Sequence, residues 1–317
     1  RKLEVASFWH AKIFHLFSGK FYFCLQTDLL QWLESWDPDV LILEANRRYL
    51  LAPLAVRWMR RRGRPVIGWG LGTGSGIGIS SQRFLKSFDA MLTYSNTGAA
   101  AYRAAGFPPE KIFIAKNAVT PRPTEPMPDR PATGYAGGKP VVLYVGRLQE
   151  RKRIDLLIRA CAELSDAERP VLWVVGDGPV RESLQQVAAE AYPETVFWGA
   201  VYGDALADVF RQADLFVLPG TGGLALQQAM AYGLPVVAAE ADGTQADLVR
   251  EGNGVLIRAG DLPDLVRTLR RLLADPDRLR RMGTESYRIV SEEINLEAMA
   301  DTFYEAARSV HSSQGMI

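Results

Sequence analysis

The stretch Pro219-Gly-Thr-Gly-Gly-Leu-Ala-Leu-Gln-Gln-Ala-Met-Ala-Tyr-Gly-Leu-Pro235 sets a glycine turn between an apolar run and a run of helix formers. Leu215 to Leu218 reads as a buried parallel strand and Leu224 to Tyr232 as a helix, so the glycines fall where a strand hands over to a helix N-terminus. Backbone N–H groups of Gly222, Gly223 and Leu224 at such a point suit an anion, because the first helical turn carries unpaired donors and the positive end of the helix dipole. An ordinary tight βα turn also favours glycine. Further strand-to-loop junctions occur upstream. Val141 to Arg147 runs from strand into Gly-Arg-Leu, followed by Glu150, Arg151, Lys152 and a helix over Asp155 to Ala162; Val171 to Pro179 runs from strand into Gly-Asp-Gly-Pro; Val196 to Gly199 is a short strand.

These residues, in this order, resemble the retaining glycosyltransferases of family four, which have the GT-B fold. The matching residues are Gly146-Arg147-Leu148 with Lys152 and Asp155, Gly176-Asp177-Gly178-Pro179, Ala213 to Pro219, Ala229-Met230-Ala231 with Gly233 and Pro235-Val236-Val237, Gly243, and Asn253-Gly254, within about residues 139 to 290. The resemblance implies an α/β fold of two Rossmann-like parallel-sheet domains facing a cleft. It implies transfer of a sugar from a nucleotide-diphosphate donor to an acceptor with retention. Arg147 and Lys152 would be the catalytic clamp on the leaving β-phosphate, and Gly178, Val201, Gly222, Gly223, Leu224 and Gln228 would hold the donor. Retention in such enzymes is usually explained by front-face attack, with no protein nucleophile. The chain departs from the family where two glutamates eight positions apart are usual, which here fall on Gly220 and Gln228. Gln228 keeps an amide that can hydrogen-bond a ribose hydroxyl; Gly220 offers only backbone. A catalytically silent nucleotide-sugar-binding subunit and a GT-B nucleotide-sugar epimerase are the alternatives.

The elements that must position these residues are also legible. The chain of 317 residues, 48% hydrophobic and 23% charged, suits a globular protein of two domains. Its net charge of +1 conceals an asymmetry: residues 1–138 hold 18 Lys and Arg against 10 Asp and Glu, a net +8, and the remainder is −7. The basic half should prefer an anionic partner, a sugar or lipid-linked acceptor or an anionic membrane surface. Arg47, Arg48, Arg57, Arg60, Arg61, Arg62 and Arg64 gather on and around an apolar helix, a pattern shared by lipid-facing helices and by solvated faces of core helices. No recognised nucleic-acid module accompanies that charge. Cys24 and Cys161 lie on different expected domains, which excludes a disulfide framework and a thiolate metal cluster. His10, His15 and His311 lack partners at metal-ligand spacing, so no metal or other cofactor is expected.

In the first half, Val40 to Leu43, Pro65 to Trp69 and Ala90 to Tyr94 read as strands, with helices over Arg48 to Arg62 and Thr97 to Ala105. Trp69 to Gly78 lacks the glycine spacing of a dinucleotide fingerprint and suits close backbone approach at the domain cleft or a flexible surface loop. The proline-rich segment Pro121 to Lys139 can be neither packed helix nor central strand, and is expected to link a domain of 1–130 to one of 139–290. Leu296, Met299, Phe303, Ala307 and Val310 form one apolar face of a last helix within 291–317, which by the resemblance crosses back to the first domain. No run of about 18 apolar residues spans a bilayer. The expected location is cytoplasmic, with peripheral membrane contact. The chain opens at Arg1 with an aromatic stretch in place of the family's strand and glycine-rich loop, so a truncated or reduced first domain is expected.

Overall fold

A computed structural model describes residues 9–17, 22–73, 79–130, 138–241 and 243–312. The chain divides into two compact units, one of residues 1–115 with 300–317, the other of residues 116–299.

In the first unit, β1 (Ile13–Leu16) and β2 (Phe23–Gln26) form an antiparallel pair. Then follow α1 (Leu29–Trp36), β3 (Leu41–Glu44), α2 (Ala52–Arg60), β4 (Val66–Gly70), α3 (Ile79–Leu85), β5 (Ala90–Thr93), α4 (Asn96–Ala104) and β6 (Ile112–Ile114). Strands β3-β4-β5-β6 lie side by side in chain order and are all parallel, as the alternation of apolar runs with helices requires. Val66, Ile67, Met91 and Leu92 are fully buried, and Leu33, Met59 and Tyr102 from the helices share one core with Val66 and Met91. Helix α2 is shorter than expected: Pro53 fits its first turn, where no N–H is needed, and residues 48 to 51 stay outside it, Tyr49 forming a parallel bridge with Cys24. The β1–β2 pair was not expected, its strands being four residues each and mostly exposed. Of the glycine stretch after β4, residues 74–78 lie outside the described residues. Gly72, at φ +110°, packs backbone to backbone on Gly98 of α4, with the Cα of Gly98 only 2.9 Å from where a Cβ would sit. This close approach lies within the first unit.

The second unit contains β7 (Val141–Val145), α5 (Ile154–Ala162), β8 (Val171–Val175), α6 (Arg181–Ala191), β9 (Thr195–Gly199), α7 (Gly203–Gln212), β10 (Leu215–Leu218), α8 (Leu224–Ala231), β11 (Val236–Ala239), α9 (Gln245–Leu248), β12 (Gly254–Ile257), α10 (Leu262–Leu273) and α11 (Pro276–Glu292). Its six strands are parallel in the order β12-β11-β10-β7-β8-β9. Strands β10 and β11 are buried at every position, so continuous apolar runs replace alternation there. The chain therefore winds outward from β7 through β8 to β9, then returns beside β7 with β10 and winds the other way.

Residues 116–130 contain no helix or strand and are strapped to the second unit. The Gln227 side-chain oxygen accepts from the amides of Val119 and Thr120, each at 3.0 Å. The guanidinium of Arg130 donates to the carbonyls of Phe210, Ala213 and Tyr232, and burial lowers its pKa to about 10. Residues 131–137 of the proline-rich segment lie outside the described residues. The last helix, α12 (Leu296–Ser312), belongs to the first unit from residue 300 onward. Within that unit the ring of Phe303 meets Trp69 edge-on at 5.1 Å and Val310 is buried. Leu296, expected on the buried stripe, is 41% exposed, because it opens the helix with its amide on the carbonyl of Thr120.

Candidate functional site

The reversal of strand order puts a crevice at the carboxyl ends of β7 and β10, the position at which open parallel sheets take ligands. Gly146-Arg147-Leu148 leaves β7 at this point and Pro219 to Gly223 leaves β10. The loops after β7 and β8 are stacked backbone on backbone. The amide of Gly146 donates to Val175 and that of Leu148 to Asp177, at 3.0 and 2.9 Å. A Cβ on Gly176, at φ +135°, would collide with the carbonyl oxygen of Gly146, and one on Gly178 with the backbone of Leu148. Only glycine fits this stack, which fixes where Arg147 starts.

Lys152 ends the 3-10 turn Glu150–Lys152 and reaches back to the glycine loop, its ammonium donating to the carbonyl of Thr221 at 2.6 Å. Arg151 clasps the same residue twice, its carbonyl accepting from the Thr221 amide at 3.0 Å and its guanidinium donating to the Thr221 hydroxyl at 3.0 Å. The turn and the loop are thereby one body. Gly222, at φ +140°, leaves the lysine room: a Cβ there would sit 2.5 Å from Nζ. Gly220 is packed against backbone instead, its missing Cβ falling on the carbonyl oxygen of Arg151 and 2.6 Å from the carbonyl carbon of Lys152. No side chain fits at Gly220, so this position has no space for the glutamate that the resemblance led one to expect.

Helix α8 begins at Leu224 with Gly223 as its N-cap residue and no capping side chain. Among the described residues, the amides of Gly222, Gly223 and Leu224 make no hydrogen bond. Leu224 itself is exposed and Gln228, one turn on, is partly exposed. Arg147 is exposed, its carbonyl accepting from the Tyr144 hydroxyl at 3.2 Å; burial raises the Tyr144 pKa well above its ordinary value and keeps it a donor. Val201 follows β9, and its side chain packs against the core, so it has only its backbone to offer a ligand. The sequence-predicted residues thus all follow carboxyl ends of one parallel sheet. Arg147, Lys152, Gly222, Gly223 and Leu224 flank the β7–β10 crevice, and Gly178 and Val201 lie further along at β8 and β9.

Two glutamines escaped the reading. Gln245, buried at the start of α9, donates through Nε2 to the carbonyl of Gly222, while among the described residues its Oε1 is buried without a partner. Gln227, the neighbour of Gln228, turns inward and also bonds the carbonyl of Ile294 at 3.0 Å. Its position one residue after Leu226 and three before Met230 puts it on the buried face of α8, a signal the periodicity did contain. Among the described residues no group of three or more His, Cys, Asp or Glu could hold a metal ion, and no helix is long and apolar enough to cross a membrane.

Residues 139–275 match the family model of glycosyl transferases group 1. The chain is 37% identical to the D-inositol 3-phosphate glycosyltransferase of Nocardia farcinica over 176 residues, which are 51% of this chain and 39% of that protein. It is 40% identical to the GDP-mannose-dependent alpha-mannosyltransferase of Mycobacterium tuberculosis over 139 residues, 42% of this chain and 35% of that protein. The match therefore spans well under two thirds of these relatives' length. Among solved structures, the apo lipopolysaccharide outer core galactosyltransferase WaaB superimposes with a TM-score of 0.71 at 20% identity, covering 88% of this chain and 77% of that one. HepE of Anabaena, in complex with UDP, gives 0.70 at 17%, covering 88% and 81%. The chain has the α/β fold of these GT-B glycosyltransferases, and residues 139–275 carry the sequence of glycosyl transferases group 1.

Proposed function

We infer that the chain is a retaining hexosyltransferase that moves a sugar from a nucleotide-diphosphate sugar to a sugar or lipid-linked acceptor. The observation that carries this reading is the Lys152 ammonium seated on the Thr221 carbonyl against Gly222, at the strand-order switch and at the start of α8. A diphosphate placed there would meet the loop amides, the helix dipole and the Lys152 and Arg147 cations. As the bond to the anomeric carbon breaks, negative charge grows on the β-phosphate, and fixed donors that face it lower the barrier by about 3 kcal/mol each. The ribose would lie by Gln228, whose amide accepts and donates without charge. The relatives' printed activities, on inositol phosphate and with GDP-mannose, support a nucleotide-sugar donor.

The lack of space for any side chain at Gly220 favours a second reading, a subunit that binds the donor without turning it over. Incubation of the purified chain with UDP-, GDP- and ADP-sugars and a panel of acceptors separates the two. Acceptor-dependent release of nucleotide is the expected outcome. Thermal stabilisation by a nucleotide sugar with no release under any acceptor would select the silent subunit.

A further inference from the structure

Between α2 and α3 of the first unit lies a hollow of about 510 Å³ walled by arginines from three segments. Arg57, Arg60 and Arg61 come from α2 and the turn that ends it, Arg83 from α3, and Arg47 from the loop after β3. Val56 and Phe84 are its buried apolar lining, Ser80 and Ser87 add hydroxyls, and no aspartate or glutamate lines it. Two neighbouring arginines are engaged within the fold. Arg64 pairs with Asp37 at 2.6 Å and Arg62 lies 3.6 Å over the ring of Trp58. Among the described residues, by contrast, none of the five arginines in the hollow has an ion pair; Arg47 donates to the Ser80 hydroxyl at 2.5 Å, which holds its guanidinium at the rim.

Five like charges around one concavity repel one another unless an anion joins them. The planar fork of a guanidinium matches two oxygens of a phosphate, and several forks converging on one hollow suit the tetrahedral oxygens of a phosphomonoester or diphosphate better than a carboxylate. The volume exceeds what one phosphate fills, and the apolar lining suits the body of the molecule that carries it. We propose that this hollow is a binding site for the phosphate or diphosphate group of an anionic molecule. The inference stands on the first unit alone and holds whether or not the Lys152 loop binds a nucleotide.

The test is calorimetry of the whole chain with pyrophosphate at low salt, alongside co-sedimentation with phosphatidylcholine vesicles containing phosphatidic acid. Wild type is compared with Arg57→Gln/Arg83→Gln and with Lys152→Ala; the two arginines are exposed, and circular dichroism checks the fold. The site predicts pyrophosphate binding that survives Lys152→Ala, weakens about tenfold or more in the double arginine variant, and falls as salt rises. Pyrophosphate that strips the protein from phosphatidic-acid vesicles identifies a lipid phosphate as the source. Pyrophosphate binding without vesicle binding identifies a soluble one. Pyrophosphate affinity untouched by the double variant overturns the proposal, whether or not Lys152→Ala abolishes it. So does vesicle binding that is equal for phosphatidic acid and charge-matched phosphatidylserine and indifferent to pyrophosphate, since the arginines are then only a charged face.

Discussion

Gly222→Ala should cost the second unit stability, chiefly through Lys152. The new methyl would sit 2.5 Å from Nζ, inside contact distance, so the ammonium must withdraw from the Thr221 carbonyl it now meets at 2.6 Å. A partly buried hydrogen bond from a charged donor contributes about 1.5–3 kcal/mol. Alanine at φ +140° adds backbone strain of about 1–2 kcal/mol. The single substitution should therefore cost about 3–4 kcal/mol. With Lys152→Ala already made, the collision is gone and only the backbone share remains, so the two changes should couple by about 1.5 kcal/mol or more. Urea unfolding of wild type, both single variants and the double variant measures this. Costs that add to within about 0.5 kcal/mol would refute the view that the glycine exists to seat the lysine.

Restoring the family's glutamate, Gly220→Glu, should destabilise rather than rescue, by about 3 kcal/mol, because the backbone of Arg151 and Lys152 occupies the space; a raised melting temperature would contradict this. Gln227→Leu should cost about 2–4 kcal/mol in urea unfolding, since it strands the amides of Val119 and Thr120 and the carbonyl of Ile294; a change under about 0.5 kcal/mol would show the strap is not held there. Glu293 is held down to about 2 by hydrogen bonds from Arg250 and then Arg288, so it binds its proton later than in the unfolded chain. Its contribution is present above the ordinary glutamate range and fades as pH falls toward 2. The carboxylate is 31% exposed, so Glu293→Gln should cost only about 1–2 kcal/mol at pH 7, and the difference from wild type should vanish near pH 2 in acid unfolding.

Strand positions and loop glycines were legible because parallel strands buried on both faces must be continuously apolar and because the turns between strand and helix must be tight. Val141–Val145, Leu215–Leu218 and the glycines of the β7, β8 and β10 loops show both. Contacts between loops distant in sequence were not. That Gly220 abuts the backbone of Arg151, or that Gln245 reaches the carbonyl of Gly222, depends on the strand order, which no local pattern carries. Nor did composition reveal the strap at residues 116–130: proline content excluded helix and strand from residue 121 onward, but the anchors are single polar side chains, Gln227 and Arg130, bonded to backbone. The basic face of the first unit was visible as charge. Its concavity was not, because Arg47 and Arg83 join the α2 arginines only through the fold.

The central claim is that the loop after β10 and Lys152 form a nucleoside-diphosphate site in the second unit. Calorimetric titration of UDP, GDP and ADP into the wild type and into Lys152→Ala tests it most directly. The account predicts that at least one nucleotide binds the wild type and that its affinity falls about tenfold or more in the variant. No binding of any of the three, or equal affinity in both proteins, would contradict it.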